Sequence, residues 1–267
     1  MLLDNRLFRR IKKLTGQAIG DFNLVEEGDR IVVAVSGGKD SYALLHLLEQ
    51  LRRRAPINFE LIAVNVDAGF PGYRKDILQE YLQGCGFPVH LESTNCAQII
   101  EEKLRPGTSY CAFCARLRRG FLYTVADRLG CNKVALGHHL DDFIETLLLN
   151  QFYAGKLAAM SPRLLADNGR HTVIRPLVYV EESDIIEFAR QNEFPVIDCG
   201  CPVMGEVDQK RRSMKQLLSV LQKENGGLKR SMLRALGNVQ PRHLLDHEMS
   251  RLMELDGQRA RESFQDS

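Results

Sequence analysis

Short apolar, β-branched runs alternate with longer amphipathic stretches over the first two thirds of the chain, and few architectures accept that order. "RIVVAV" (30–35), "FELIAVNV" (59–66), "PVHLE" (88–92), "KVALG" (133–137) and "TVIRPL" (172–177) read as five strands. Continuous apolar runs of this kind suit parallel strands buried on both faces. Residues 41–54, 74–85, 112–129, 142–151 and 182–191 carry helical spacing between and after them. Strand–helix alternation builds βαβ units, so the pattern predicts an α/β fold: a doubly wound, parallel, five-stranded sheet with helices on both faces. An amphipathic helix over 6–22 precedes it, with Leu7, Ile11, Leu14, Ala18, Ile19 and Phe22 at helical spacing. Helices over 208–222 and 229–236 follow. The expected organisation is an N-terminal helix (1–28), an α/β domain (29–200), a C-terminal helical extension (201–255) and a disordered tail (256–267).

In parallel sheets, ligands sit at the carboxyl ends of the strands. The stretches 36–41, 67–73, 137–142 and 175–177 each follow an expected strand and should meet at one edge. The first is the most telling. Ser36, Gly37, Gly38, Lys39, Asp40 and Ser41 close the first strand and open the first helix. Glycines allow close backbone approach, and a helix N-terminus offers unpaired amides and a partial positive charge. A lysine and two hydroxyls complete a cradle suited to a polyphosphate. The spacing is neither G-x-x-x-x-G-K-[ST] nor G-x-G-x-x-G. Asp141 and Asp142, in "LGHHLDD", have the chemistry to hold Mg²⁺, and either could instead cap the helix that follows.

Composition narrows the class. No apolar run reaches the roughly 18 residues of a membrane span, and the charged N-terminal stretch does not read as a signal peptide. A cytoplasmic protein with no membrane partner is therefore expected. The net charge is only +2, but basic residues cluster at Arg9, Arg10, Lys12, Lys13; at Arg52, Arg53, Arg54; at Arg116, Arg118, Arg119; and at Lys210, Arg211, Arg212. Each alone reads as a solvated helix face; four together suggest a surface for RNA or phosphate. The cysteine count of seven is odd, which argues against a disulfide framework. Cys111 and Cys114 form a C-x-x-C that fits half a zinc site, a dithiol or part of an iron–sulfur site. Cys199 and Cys201 form a later C-x-C. Cys85, Cys96 and Cys131 sit in apolar contexts and read as small buried hydrophobes.

"SGGKDS" after an apolar strand resembles the pyrophosphate-binding loop of the PP-loop ATP pyrophosphatases, whose fold is adenine nucleotide α-hydrolase-like. "LGHHLDD" matches a second element of that family, placed against the nucleotide and its metal. "CAFCARLRRGFLYTVADRLG", "KVALGHHLDDFIETLLLNQFYAGKL" and "VIRPL" closely resemble the tRNA 2-thiocytidine synthetases, as do "EEGDRI" and "RAPINFELIAVNVD". The resemblance runs from about residue 6 to about residue 245.

It implies ATP-dependent 2-thiolation of cytidine 32 in the tRNA anticodon loop, with ATP, Mg²⁺ and a [4Fe–4S] cluster as cofactors. Three cysteines would hold the cluster and leave one iron open. Cys111 and Cys114 match two of them directly. The third departs from the family's P-C-x-x-C-G. Matching from the preceding Pro195 selects Cys199, while matching back from Gly205 selects Cys201 and puts Met204 on the second family cysteine. Cys201 is favoured, because a related thiouridine family has Cys-Pro at its third ligand.

The resemblance also implies nucleotide contacts at Ser36, Gly37, Gly38, Lys39, Asp40, Ser41, Asn65 and Gly137. Mg²⁺ would bind at Asp141 and Asp142, and catalytic work would fall to Lys39, Asp40, Arg118 and Asp141. Implied partners are tRNA, a sulfur donor such as a cysteine desulfurase, and a second copy of the chain in a homodimer. Lysidine and 2-thiouridine synthetases are the runner-up readings. The former lack this cysteine set, and the latter usually add terminal C-x-x-C pairs that are missing here. A non-catalytic zinc or RNA-binding module would be expected to have lost Lys39, Asp40 or the aspartate pair.

Overall fold

A computed structural model describes residues 2–105, 108–203, 209–247 and 251. The elements run α1 (Arg6–Asp21), β1 (Arg30–Ala34), α2 (Lys39–Arg52), β2 (Glu60–Asp67), α3 (Lys75–Gly84), β3 (Val89–Ser93), α4 (Cys96–Lys103), α5 (Tyr110–Arg128), β4 (Lys133–Ala135), α6 (Leu140–Ala154), β5 (Arg163–Leu165), β6 (Thr172–Ile174), α7 (Glu182–Gln191), α8 (Gln209–Glu224) and α9 (Leu228–Leu236).

The sheet order is β3-β2-β1-β4-β6-β5. All neighbours are parallel except β5, which pairs antiparallel with β6. The expected sheet had five parallel strands; the observed sheet has six and is mixed at one edge. The extra strand is short and fully exposed, so it carries no apolar run. Its signal was the turn. Asp167-Asn168-Gly169 reverses the chain, with Gly169 at φ +67° and its amide bonded to the Ala166 carbonyl. A second unexpected element, α4, lies after β3. Strand β6 stops three residues before the expected end: the Arg175 amide turns to the Pro162 carbonyl (2.9 Å) and Pro176 has no amide to offer.

Alternation along β1 explains the double winding. Ile31 and Val33 face one core with α1, α2 and α7, whereas Val32 faces a second with α5, through Leu122, Val125 and Ala126. Helix α1 contributes Phe8, Ile11 and Ala18 to the first core. Helices α8 and α9 pack on α6 through Met214, Leu218, Met232, Leu140, Ile144 and Leu148. The tail expected at 256–267, Met204 and Gly205 lie outside the described residues.

The chain leaves β1 toward β2 and β3, then returns to place β4 on β1's other side. That reversal opens a crevice at the carboxyl ends of β1 and β4. The two loops flanking it are 35–38 and 136–139.

Candidate functional site

The loop after β1 is held from both sides. The Ser36 amide donates to Ser41 Oγ (3.2 Å), and that hydroxyl donates to the Gly38 carbonyl (2.8 Å). Gly37 has φ +88° and touches Ile197; a Cβ there would lie 2.2 Å from Ile197 Cγ1. Helix α2 opens at Lys39 with no side-chain cap; the Ser41 amide turns back to the Gly38 carbonyl (3.1 Å), and the Lys39 and Asp40 amides are the ones the helix start leaves over. Gly137 brings the second loop against the first turn of α2: a Cβ on it would sit 3.0 Å from the Asp40 carbonyl carbon.

The resulting cavity holds about 380 Å³ and is lined by Ser36, Asp40, Ser41, Gly137, His138, Asp142, Arg118, Arg119 and Arg211, with Val64, Val66 and Leu122 as an apolar side. Asp40 Oδ1 is buried without a hydrogen-bond partner among the described residues. Asn65 lies beneath, donating to the Val35 carbonyl (2.7 Å) and bonded to Tyr73 Oη (2.6 Å). Lys39 does not line this cavity. Its Nζ bonds Asp40 (3.2 Å) and Glu182 (3.1 Å), and Glu182 in turn bonds Lys215 of α8 (3.1 Å). Burial alone would raise the Glu182 carboxyl, but the two ammonium groups prevail and hold it down at about 2.

His138 is kept neutral, its pKa lowered to about 4 by burial and by the nearby Arg175 guanidinium. Arg175 Nε donates to His138 Nδ1 (3.2 Å), so the ring proton is assigned to Nε2. The aspartate pair divides. Asp142 accepts the His139 amide (3.0 Å), closing the first turn of α6. Asp141 accepts the Glu182 amide (2.7 Å) and pairs with Lys229 (2.5 Å) in a separate hollow between α6, α7, α8 and α9.

Beside the first cavity is a second, of about 160 Å³, lined by Cys111, Cys114, Cys199, Cys201, Phe70, Tyr73 and Tyr110. Ser36, Val66, Ala115 and Arg118 line both. Helix α5 starts at Tyr110, capped by Ser109, so Cys111 and Cys114 stand one turn apart on its opening turn. The other two thiols come from a distant segment. The Ile197 amide donates to the Gly37 carbonyl (3.0 Å), and Gly200 (φ +67°) presses on the Pro71 carbonyl, where a Cβ would come within 2.8 Å. Cys199 and Cys201 Sγ lie 3.1 Å apart. Burial pushes the Cys114 thiol up, against the lowering effect of Arg118. Burial and the Cys199 contact push Cys201 up to about 11. Thiolates here therefore call for a cation such as iron to replace lost solvation. The four thiols line this cavity with no histidine or carboxylate among its lining residues, a soft donor set of the kind that holds iron–sulfur groups or zinc.

Ser36, Asp40, Ser41, Gly137, Asp142 and Arg118 thus meet around one cavity, and Cys111, Cys114 and Cys201 around its neighbour. Gly37, Gly38 and Asn65 support the first cavity from behind, while Lys39 and Asp141 point elsewhere. Sequence reasoning did not single out His138, Tyr73, Arg119, Arg211 or Glu182 as site residues. His138 was inside a quoted motif and Arg211 inside a basic cluster. No sequence signal links Glu182 to Lys39, which lies 143 residues away.

A PP-loop domain family matches residues 3–198. The chain is 69% identical over 245 residues to a tRNA-cytidine(32) 2-sulfurtransferase of Syntrophotalea carbinolica, covering 92% of this chain and 95% of the relative. It is 63% identical over 253 residues to the protein of that name from Geobacter sulfurreducens, covering 95% and 98%. Among solved structures it resembles the U34-tRNA thiolase NcsA of Methanococcus maripaludis, with its [4Fe–4S] cluster. That match has a TM-score of 0.70 at 22% identity, over 87% of this chain and 78% of that one.

Proposed function

The chain belongs to the PP-loop family and, within it, to the tRNA-cytidine(32) 2-sulfurtransferases; from that membership we propose how its two cavities divide the reaction. It is an ATP-dependent tRNA-thiolating enzyme. The observation that supports the division is the wall common to both cavities, formed by Ser36, Val66, Ala115 and Arg118.

ATP occupies the larger cavity. Its phosphates rest on 36–41 and Gly137, and its adenine packs toward the strand around Ala63 to Asp67. The cytidine O2 attacks the α-phosphorus, the bond to the β-phosphate oxygen breaks, and pyrophosphate leaves. A poor leaving group, the base oxygen, has become AMP. The amides at the start of α2, Lys39 turned from Glu182, and Arg118 stabilise charge developing on the phosphates. His138 presents Nε2–H as a neutral donor. Mg²⁺ accompanying the triphosphate would be held by Asp142 and by Asp40 Oδ1, which makes no hydrogen bond among the described residues; Asp141 would join only by leaving Lys229.

Cys111, Cys114 and Cys201 would hold a [4Fe–4S] cluster in the smaller cavity. When bound, it supplies an iron without a protein ligand as the place for the incoming sulfur. Arg118, on the common wall, orients the activated base between the two cavities. Phe70, Tyr73 and Tyr110 keep bulk water from it. The target base must leave its stack, which a loop permits at low cost. Cytoplasmic tRNA, a cysteine desulfurase as sulfur donor and homodimerisation near α1 complete the reading. Residues 29–200 supply most of both cavities' walls, and the C-terminal extension adds Cys201 to the smaller and Arg211 to the larger.

Anaerobic purification with iron and sulfide quantitation, followed by mass analysis of nucleosides from treated tRNA, tests this. The expectation is about four irons per chain and 2-thiocytidine made only with ATP. Thiolation by an iron-free Cys111→Ala protein would overturn the cluster's part.

A further inference from the structure

We propose that Arg211, on the first turn of α8, is a catalytic residue that binds the phosphates of ATP during adenylation. The inference deepens the reading above, since it rests on the larger cavity being the nucleotide site. The observations begin with position. Arg211 comes from the C-terminal extension, yet it lines the same cavity as Ser36, Asp40, Ser41, Gly137 and His138. It is the only cation from that extension among the cavity's described residues.

Its present partners hold it loosely. Nη1 lies 3.9 Å from both Asp142 Oδ1 and Glu145 Oε2, beyond hydrogen-bond distance. Among the described residues the guanidinium makes no hydrogen bond. Glu145 is 2% exposed, and its Oε2 has no hydrogen-bond partner there either. Its other oxygen, Oε1, lies 3.6 Å from Lys215 Nζ, so two cations share this buried carboxylate and neither hydrogen-bonds it. Here it keeps a cation at the cavity's mouth without locking it, so the planar fork can turn to a phosphate.

The charge balance points the same way. Lys39, the motif's own cation, is directed at Glu182 and away from the cavity. Arg118 and Arg119 come from α5, across the crevice from α6 and α8. Arg211 is thus the guanidinium on the α6 side, beside Asp142. A triphosphate flanked by Asp40 and Asp142 needs such a cation, most of all when pyrophosphate leaves and negative charge accumulates.

The test uses the full-length, cluster-loaded enzyme with tRNA and ATP, reading AMP release in a single turnover, ATP affinity and tRNA affinity separately. Arg211→Ala should slow AMP release about a hundredfold or more, the usual loss for one preorganised charged donor. tRNA affinity should stay within about twofold, the change expected when no phosphate contact to RNA is lost. Added guanidinium ion should restore AMP release in R211A and not in the wild type, which a merely structural defect would not show. Arg211→Gln keeps the side-chain stem and guards against a folding artefact; it should behave like R211A. Normal AMP release by both variants overturns the proposal. So does a defect confined to tRNA affinity, which would assign Arg211 to the RNA. A wild-type protein that releases no AMP overturns the ATP reading itself, and this proposal with it.

Discussion

The Ile197 amide donates to the Gly37 carbonyl at 3.0 Å, and the Ile197 side chain fills the space a Cβ at position 37 would need. One contact thus ties the 36–41 loop, proposed above as the phosphate cradle, to the segment that carries Cys199 and Cys201. Gly37→Ala would force a φ of +88° on an L-residue and drive its methyl to 2.2 Å from Ile197. The strain alone is worth about 1–3 kcal/mol, and the clash shifts the cradle. Reduced melting temperature together with lost ATP affinity is expected. Gly28→Ala is the control: φ is +79°, but nothing lies within 4 Å, so it should cost about 1 kcal/mol and leave ATP affinity unchanged. Calorimetry and equilibrium ATP binding measure both.

Gly200 plays the matching part on the thiol side. Its Cβ would meet the Pro71 carbonyl at 2.8 Å, again at positive φ. Gly200→Ala should displace Cys199 and Cys201 while leaving residues 36–41 in place. Iron content per chain should fall, with ATP affinity retained. Loss of ATP binding alone would show that the loop transmits strain only toward the cradle.

Glu182 links stability to pH. Its carboxyl is favoured by Lys39 and Lys215 down to about 2, against an ordinary value of 4.5. A carboxylate with a depressed native pKa adds stability above its unfolded pKa and loses it as pH falls toward the native one. The contribution is therefore full above pH 4.5 and lost on the way to about 2. With the side chain 24% exposed, the sum is on the order of 3 kcal/mol. Glu182→Gln should flatten the acid limb of stability in that window. Denaturant unfolding of the two proteins above and within the window checks it; parallel curves would rule out the linkage.

Lys133 has another kind of charge partnership. Its side chain is 3% exposed, and Nζ meets Asp29 and Glu26 at 2.7 Å and the Leu24 carbonyl at 3.1 Å. This anchors β4 to the turn before β1. Lys133→Met removes the cation and leaves Asp29 buried with one partner fewer, which costs about 3–5 kcal/mol. Chemical denaturation should show that loss. A shift under about 1 kcal/mol would mean the pair is worth no more than a surface one.

The sheet's centre was legible because β1, β2, β4 and their helices announce themselves by period alone. The site was legible where one short stretch carries it, as at Ser36–Ser41 and Cys111–Cys114. What failed to show was non-local or solvated. β5 is an exposed edge of three residues, visible only through its Asn168-Gly169 turn. Asp141 and Asp142 are adjacent in sequence yet face different hollows, because consecutive helical residues point about 100° apart. The Lys39–Glu182 contact depends on α7 packing beside α2, which no spacing in the sequence encodes.

The choice between Cys199 and Cys201 rests on packing. Both line the smaller cavity, and their sulfurs touch. Cys201, however, packs into the apolar cluster with Tyr110, Phe113 and Cys114, whereas Cys199 is exposed. A cluster ligand needs a sulfur held in place by what surrounds it; packing beside Cys114 does this for Cys201 on the late segment, as the opening turn of α5 does for the exposed Cys111. Cys201→Ala should therefore abolish iron incorporation and the visible absorbance of the anaerobically prepared protein, as should Cys111→Ala and Cys114→Ala. Cys199→Ala should retain both. Iron and sulfide quantitation on the four variants reads the answer directly. The reverse pattern, iron kept by C201A and lost by C199A, would move the third ligand two residues along and make Cys201 the bystander.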